Sequence, residues 1–411
     1  MSGGVVNIAD TIPAEPAAIA MSVAERFEDI DPREWDDCVA ARAGSLYVTY
    51  DWLSIWWRHY GRGRALRIFL FRQAGRLVGL APMFIERVRL GPVSIRLAKR
   101  VGADFALTMF ALPLDPRFAD LAYAKIIATL IEEERCAAVW FGFAPGDDPT
   151  AAALQRACAL SQGGAVLTEA REQVPHMRFA LPPTFAAYLA GLDKRQRQIY
   201  TRSRKQLEKD HDVSTAVVSV PEAASDALAR FRALHDAQWQ AEGKLGHFGD
   251  WPGAAAFNTD LVAAMARCGR LRFVDLIADG AVVSSQYAFV FDGCCYWRLP
   301  ARAIGSPWDR LGLGRLSLIQ LIECMIGEGV VRIEAGMGHY DYKRQLGAEE
   351  LICKSAVVVS TRGGDARRMR LFLMMSQALH LLYYRIWFLR LARFSPLRRG
   401  PLWRTWVRMR L

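Results

Sequence analysis

The N-terminus lacks the marks of a secretory signal. Residues 1–20 carry no basic stretch and place Asp10 and Glu15 where such a signal is apolar, so cleaved export is not expected and a cytoplasmic location is. The eight cysteines form no C-x-x-C pair and have no histidine at zinc spacing, which argues against a disulfide framework and against a bound metal, and for reduced thiols. Long apolar runs are missing too. The longest uncharged stretch near the C-terminus, 371–384, has 14 residues, short of the ~20 a spanning helix needs. No G-x-G-x-x-G opens a helix after a first strand, and no G-x-x-x-x-G-K-[ST] occurs, so dinucleotide and P-loop folds lose their usual evidence.

What is present is a globular composition: 411 residues, 52% apolar and 23% charged, enough interior for two domains. The formal net charge of +11 is unevenly placed. Twelve arginines and a single aspartate lie in 362–411, leaving 41 basic and 41 acidic residues in the rest of the chain. A neutral body therefore ends in a basic tail, and a basic isoelectric point is not by itself a sign of nucleic-acid binding.

The body contains an internal repeat. Residues 66–78 (LRIFLFRQAGRLV) align without a gap to 271–283 (LRFVDLIADGAVV), each a strand, a glycine turn and a second strand. Downstream, 130–132 followed by 139–143 matches 321–323 followed by 330–334, each a helix leading into a short apolar strand. Hairpins in front and a helical crossover behind predict a mixed α/β sheet in each half. The pattern predicts a disordered leader over 1–22, an N-terminal domain over 23–175, a C-terminal domain over 176–361 and a basic amphipathic helical tail over 362–411, with prolines 175, 182 and 183 marking the boundary.

Three clusters carry candidate chemistry. In the second half a strand over 294–299, a loop over 300–309, a helix over 311–327 and a strand over 330–335 are expected. The helix opens with Arg310, Gly312, Gly314 and Arg315; free N–H groups, close-approaching glycines and arginine suit a phosphate. After the next strand, Glu334, His339, Tyr342 and Lys343 stand within ten residues and offer a base, an acid and an anion partner. Six positive charges in 194–205 form a ridge if helical, since Arg195 and Arg202 lie seven apart; a solvated face, CoA phosphates, an RNA end or an acidic surface are its alternatives.

As a set, Tyr50-Asp51-Trp52, Trp56-Trp57, Gly102-Ala103-Asp104-Phe105, the Arg-rich stretch to Arg204, His235 with Trp239, and Gly338 with Tyr342-Lys343 make residues 25–360 resemble the GNAT superfamily of acyl-CoA-dependent acetyltransferases. The resemblance is to its tandem, CelD-type branch associated with exopolysaccharide synthesis and related to FemAB-type aminoacyltransferases. It implies tandem GNAT-like domains and an acetyl-CoA donor or another acyl-CoA, lying between splayed strands 294–299 and 330–335. It further implies a small-molecule or saccharide acceptor bearing an amine or hydroxyl. In that frame Glu334 or His339 is the base, Tyr342 the acid or oxyanion donor, Lys343 with Arg195 and Arg202 the anion holders, and Arg310, Gly312, Gly314 and Arg315 the pyrophosphate site. Asp309 departs from the usual signature, in which Arg or Gln stands there, and Pro300 removes a backbone donor. The first half has no comparable glycine loop, so it is expected to be structural or acceptor-binding. An aminoacyl-tRNA donor held by the Arg195–Arg204 ridge is the alternative, and a degenerate, non-catalytic binding pair a third reading. Arg beside Trp in 365–411 leads to an expectation of peripheral contact with the inner face of a membrane.

Overall fold

The structure is a computed structural model that describes residues 19–42, 44–106, 109–146, 150–160, 165–169, 174–243, 246–249, 253–391 and 402–409. Most of the predicted leader, 1–18, lies outside the described residues, but its end does not: Ile19–Ala24 forms the first strand, β1, paired with the next.

The remaining strands are β2 (Ala65–Gln73), β3 (Arg76–Leu90), β4 (Val93–Arg100), β5 (Ala138–Pro145), β6 (Ala165–Glu169), β7 (Val174–Ala180), β8 (Val213–Val218), β9 (Leu271–Ala278), β10 (Ala281–Phe291), β11 (Cys294–Arg302), β12 (Arg332–Met337) and β13 (Glu349–Ser360). They make one mixed sheet in the order β1-β2-β3-β4-β5-β13-β7-β12-β11-β10-β9-β8, with β6 also on β13. The aligned repeats fall on equivalent hairpins, β2–β3 and β9–β10. Their turns match as well: Ala74-Gly75 and Asp279-Gly280 all have positive φ, the primed turn that follows the twist of paired strands. In each half one parallel pair, β4 with β5 and β11 with β12, closes the repeat.

The two halves are not separate sheets. The boundary expected at 175/176 runs through β7, the last strand of the first half, which pairs with β12 of the second. Reciprocally β13, the last strand of the second half, lies against β5 of the first. β7 and β13 then pair antiparallel with each other. Prolines 182 and 183 follow β7. The expected 300–309 loop is shorter, because β11 runs on to Arg302 with Pro300 opposite Gln286. Pro300 is tolerated because β11 has already parted from β12 there, so no partner waits on that edge.

Helices cover both faces. Trp35, Trp52 and Trp56 are fully buried in the larger core, which spans both halves. A second core packs the helices Phe185–Gly191, Lys194–Asp210 and Leu313–Gly327 under β9 to β12. Asp193 starts the basic helix by accepting from the Gln196 N–H at 2.8 Å, and Thr184 does the same for its neighbour.

The tail is helical at Asp365–Leu379, His380–Leu391 and Leu402–Met409, and it docks on the first half. Met369, Phe372 and Met409 are buried beside β4, Trp406 stacks on Tyr384 at 4.3 Å, and Arg408 reaches Glu86 at 2.6 Å. Glu86 is buried with Lys99 at 2.8 Å and Arg64 at 3.2 Å. Burial would raise its carboxyl, but these three cations outweigh it and hold it at about 2. Its stabilisation is therefore in place above the ordinary value of 4.5 and lost as pH falls towards 2. Arg408→Ala removes one of three partners. It is expected to lower stability at pH 7 by about 2 kcal/mol, less than the ~3–5 kcal/mol of a fully broken buried pair, and to raise the acid-unfolding midpoint, both measurable by denaturant titration across pH.

Candidate active site

β11 and β12 are in register for three steps, Cys294 with Arg332, Cys295 with Ile333 and Tyr296 with Glu334, and then diverge. Residues before and beyond the split alternate between the two faces of the sheet, as strand geometry requires. Trp297 and Ala335 lie in the core under the Leu313–Gly327 helix, whereas Tyr296 and Glu334 line a cavity on the opposite face.

On the helix side the predicted phosphate cluster is assembled at the start of Leu313–Gly327. Gly312 caps the helix at φ +63°, a conformation that suits glycine. A Cβ at Gly314 would meet no atom closer than Arg302 Cδ at 3.7 Å, so its backbone is open to close approach. Arg310 is exposed. Arg315 is not free: it donates to Gln196 and, at 3.0 Å, to Gln345. Asp309, the unusual residue, accepts from the Gly305 N–H at 3.0 Å and pairs with Arg302 at 3.2 Å. It folds the loop and its charge is neutralised.

Lys343 differs from a solvated lysine. Only 5% exposed, it donates to the Ala335 carbonyl at 2.6 Å and lies 4.7 Å from the Trp297 ring and 4.5 Å from that of Tyr340. It thus stands between the diverging strands, and burial pushes its ammonium down to about 8. Tyr342, half-buried beside it, is pushed up to about 12 by burial. His339 is elsewhere in character: its ring is half exposed and its Nδ1 pairs with Glu350 at 2.5 Å.

Glu334 is the centre of an ion-paired group that the sequence reading missed in part. Its Oε2 lies 2.5 Å from His176 Nε2, and its Oε1 lies 2.9 Å from Arg178 Nε and 3.0 Å from Arg332 Nε. Burial would raise the carboxyl, but the hydrogen bond and charge of His176, with the two arginines, hold it below the usual range. His176 and Arg178 lie on β7 from the other half, two residues apart and so on one face. That period-two polar pair inside an apolar strand was the available signal. The cavity measures about 720 Å³ and is lined from the first half by Ala41, Arg42, Gly44, Ser45 and Tyr47 and by 109–114 with Pro116.

Arg195 and Arg202 are both exposed on the Lys194–Asp210 helix. Arg202 lines a shallow 550 Å³ concavity with Lys194, Arg197, Lys205 and Lys209, a set that does not include Arg195. Arg204 is occupied by Glu208 at 2.7 Å and Tyr200 at 3.0 Å. The helix lies outside the cavity between the halves.

The corresponding split in the first half is filled. Beyond Lys99 opposite Trp140, the fully buried Arg100 guanidinium donates to the Phe110 carbonyl and sits 3.6 Å from the Phe110 ring centre. Gly142, at φ +77°, makes room for it, since a Cβ there would lie 2.7 Å from the guanidinium.

Residues 194–344 match the family model described as the Acetyltransferase (GNAT) domain. The matched span contains the split, the glycine-bearing helix start and Lys343. None of the curated proteins matches the chain. Among solved structures, FemX is similar over 81% of this chain and 96% of its own, with a TM-score of 0.56 at 12% identity, a likeness of fold. L-PGS from Bacillus licheniformis gives a TM-score of 0.48 at 12% identity, covering 83% of this chain and 96% of that one. A tandem GNAT protein from the clavulanic acid biosynthesis pathway gives 0.43 at 13%, covering 84% and 98%. The mixed sheet, with a split parallel pair in each half, is GNAT-like.

The lowered Lys343 has a stability signature. Between about 8 and 10.5 the folded lysine has lost a proton that the unfolded one keeps, so stability rises with pH in that window. Relative to Lys343→Met, the wild type is expected to gain up to about 3 kcal/mol from pH 8 to pH 10.5 in urea titrations; parallel pH profiles would contradict it.

Proposed function

We propose that the protein is a GNAT-type acyltransferase that moves an acetyl or other acyl group from acyl-CoA to an amine or hydroxyl of a sugar or cell-envelope precursor. The observation that carries this is the split between β11 and β12, flanked on one face by a glycine-bearing helix start and on the other by a cavity. Donor and acceptor then meet from opposite faces. The unpaired edge of β11 offers backbone groups to pantetheine, and Gly312, Gly314, Arg310 and Arg302 suit the pyrophosphate. The bound thioester supplies the acyl group. Lys343, held over Trp297, is placed to stabilise negative charge developing on the carbonyl oxygen, and Tyr342 to donate a proton. The exopolysaccharide-type acceptor rests on the CelD-type sequence resemblance.

A second reading, aminoacyl-tRNA as donor, is favoured by the likeness to FemX and by the cationic face around Arg202. One titration separates the two. Saturable calorimetric binding of acetyl-CoA, lost in Gly314→Glu with Tm unchanged, is expected, with no binding of tRNA at 0.15 M salt. tRNA binding with a steep salt dependence and no acyl-CoA binding would reverse the assignment.

We further infer peripheral membrane contact through the tail. Among the described residues no helix is long and apolar enough to cross a membrane. However, Leu371, Met374, Leu381, Leu382 and Ile386 are exposed beside Arg370, Arg385 and Arg390, an arrangement that suits an anionic interface. Co-sedimentation with vesicles containing phosphatidylglycerol is expected, and Leu381→Asp with Leu382→Asp should abolish it. Equal recovery of both proteins in the supernatant refutes the contact.

A further inference from the structure

We propose that His176 is the base that takes the acceptor's proton, and that Glu334 is the positioning residue that holds its tautomer. The inference rests on the acyltransferase reading and deepens it.

Glu334 itself is poorly suited to the task. Both carboxylate oxygens are taken, Oε2 by His176 and Oε1 by Arg178 and Arg332, and a carboxylate held by cations is a weak base. A carboxylate only accepts, so the His176 nitrogen 2.5 Å away, Nε2, carries the ring proton. The lone pair is then on Nδ1. Nδ1 is buried and has no hydrogen-bond partner among the described residues, on a ring that is 5% exposed and lines the cavity. An unpaired buried acceptor is costly unless something else supplies its donor, and the amine or hydroxyl of an acceptor in the cavity does so.

Placement agrees. Glu334 occupies the last paired step before β11 and β12 part, and the irregularity between Glu334 and Met337 sets His176 opposite Met337, beyond that step along the split. Such irregularities re-aim side chains. The other charged or titratable groups that face the cavity are Arg42, Arg156, Arg178, Arg332, Tyr47, Tyr296 and Cys353.

The step balances. As the acceptor nitrogen or oxygen bonds to the acyl carbon, its proton passes to Nδ1. The thioester C–S bond breaks with its electron pair on sulfur. The thiolate takes a proton from Tyr342, which is reprotonated from solvent, and His176 returns its own to solvent.

Two measurements on the full chain test this. With acetyl-CoA and an amino-sugar panel, followed by thiol release, His176→Gln should lower kcat by about 100-fold or more while the Kd for acetyl-CoA stays within about twofold. Glu334→Gln should lower kcat and let the Nδ1-protonated tautomer appear, because a carboxamide can donate to Nε2 where the carboxylate only accepts. In 15N spectra of the histidine rings, assigned by the loss of one signal in His176→Gln, wild-type Nδ1 should be unprotonated at pH 7.5. A protonated Nδ1, or wild-type kcat in His176→Gln, overturns the proposal. Absent acetyl-CoA binding and thiol release in the wild type would instead remove the acyltransferase reading, with the tautomer still deciding the state of His176.

Discussion

The antiparallel pairing of β7 with β13 is the contact on which the rest of the molecule depends. Each of these strands ends one half of the repeat and lies beside the parallel pair of the other half. Two copies that could each have kept its own last strand have exchanged them, and the result is one continuous sheet with no edge at its centre. The exchange also builds the charged group at the cavity. His176 and Arg178 meet Glu334 only because β7 lies on β12, so the buried ion-paired group belongs to neither half alone.

The same duplication supplied two splits, and the side chains within them set their fates. Arg100 in the first is fully buried, and burial pushes its guanidinium down to about 9, but it gains the Phe110 carbonyl and ring, and Gly142 yields the space. That split is a packed core. Lys343 in the second makes one hydrogen bond to a carbonyl and rests on aromatic faces. A flexible amine with one carbonyl acceptor among the described residues is a looser filling than a guanidinium wedged against a strand. The difference between the two splits, filled in the first half and looser in the second, follows from these two side chains.

Local pattern made much of this legible. The hairpins, the helix–strand units and the glycine-bearing helix start all rest on near neighbours in sequence, where periodicity and turn chemistry act. Pro300 predicts the end of a strand because its missing N–H matters only if a partner waits on that edge, and the divergence of β12 is a tertiary fact. The prolines around β7 predict a boundary for a similar reason: a strand whose partners are more than a hundred residues away carries no signal of its pairing. The sequence marks Glu334 as a base, because two of the three residues that occupy its oxygens, His176 and Arg178, come from another element.

The basic tail shows how far a charge count goes. Twelve arginines against one aspartate predict an appendage, yet Arg408 completes the neutralisation of the buried Glu86 carboxylate on β3, and Lys99 donates to the Arg408 carbonyl. One of the twelve is therefore part of the body's interior electrostatics, and its helix packs Trp406, Val407 and Met409 against the fold. Arg367, Arg368, Arg370, Arg385 and Arg390 remain exposed on the preceding helical segments. The anchoring of Leu402–Met409 fixes how those segments lie, so the exposed arginines and the apolar side chains between them are held as one surface, oriented by the same first half whose split Arg100 has closed.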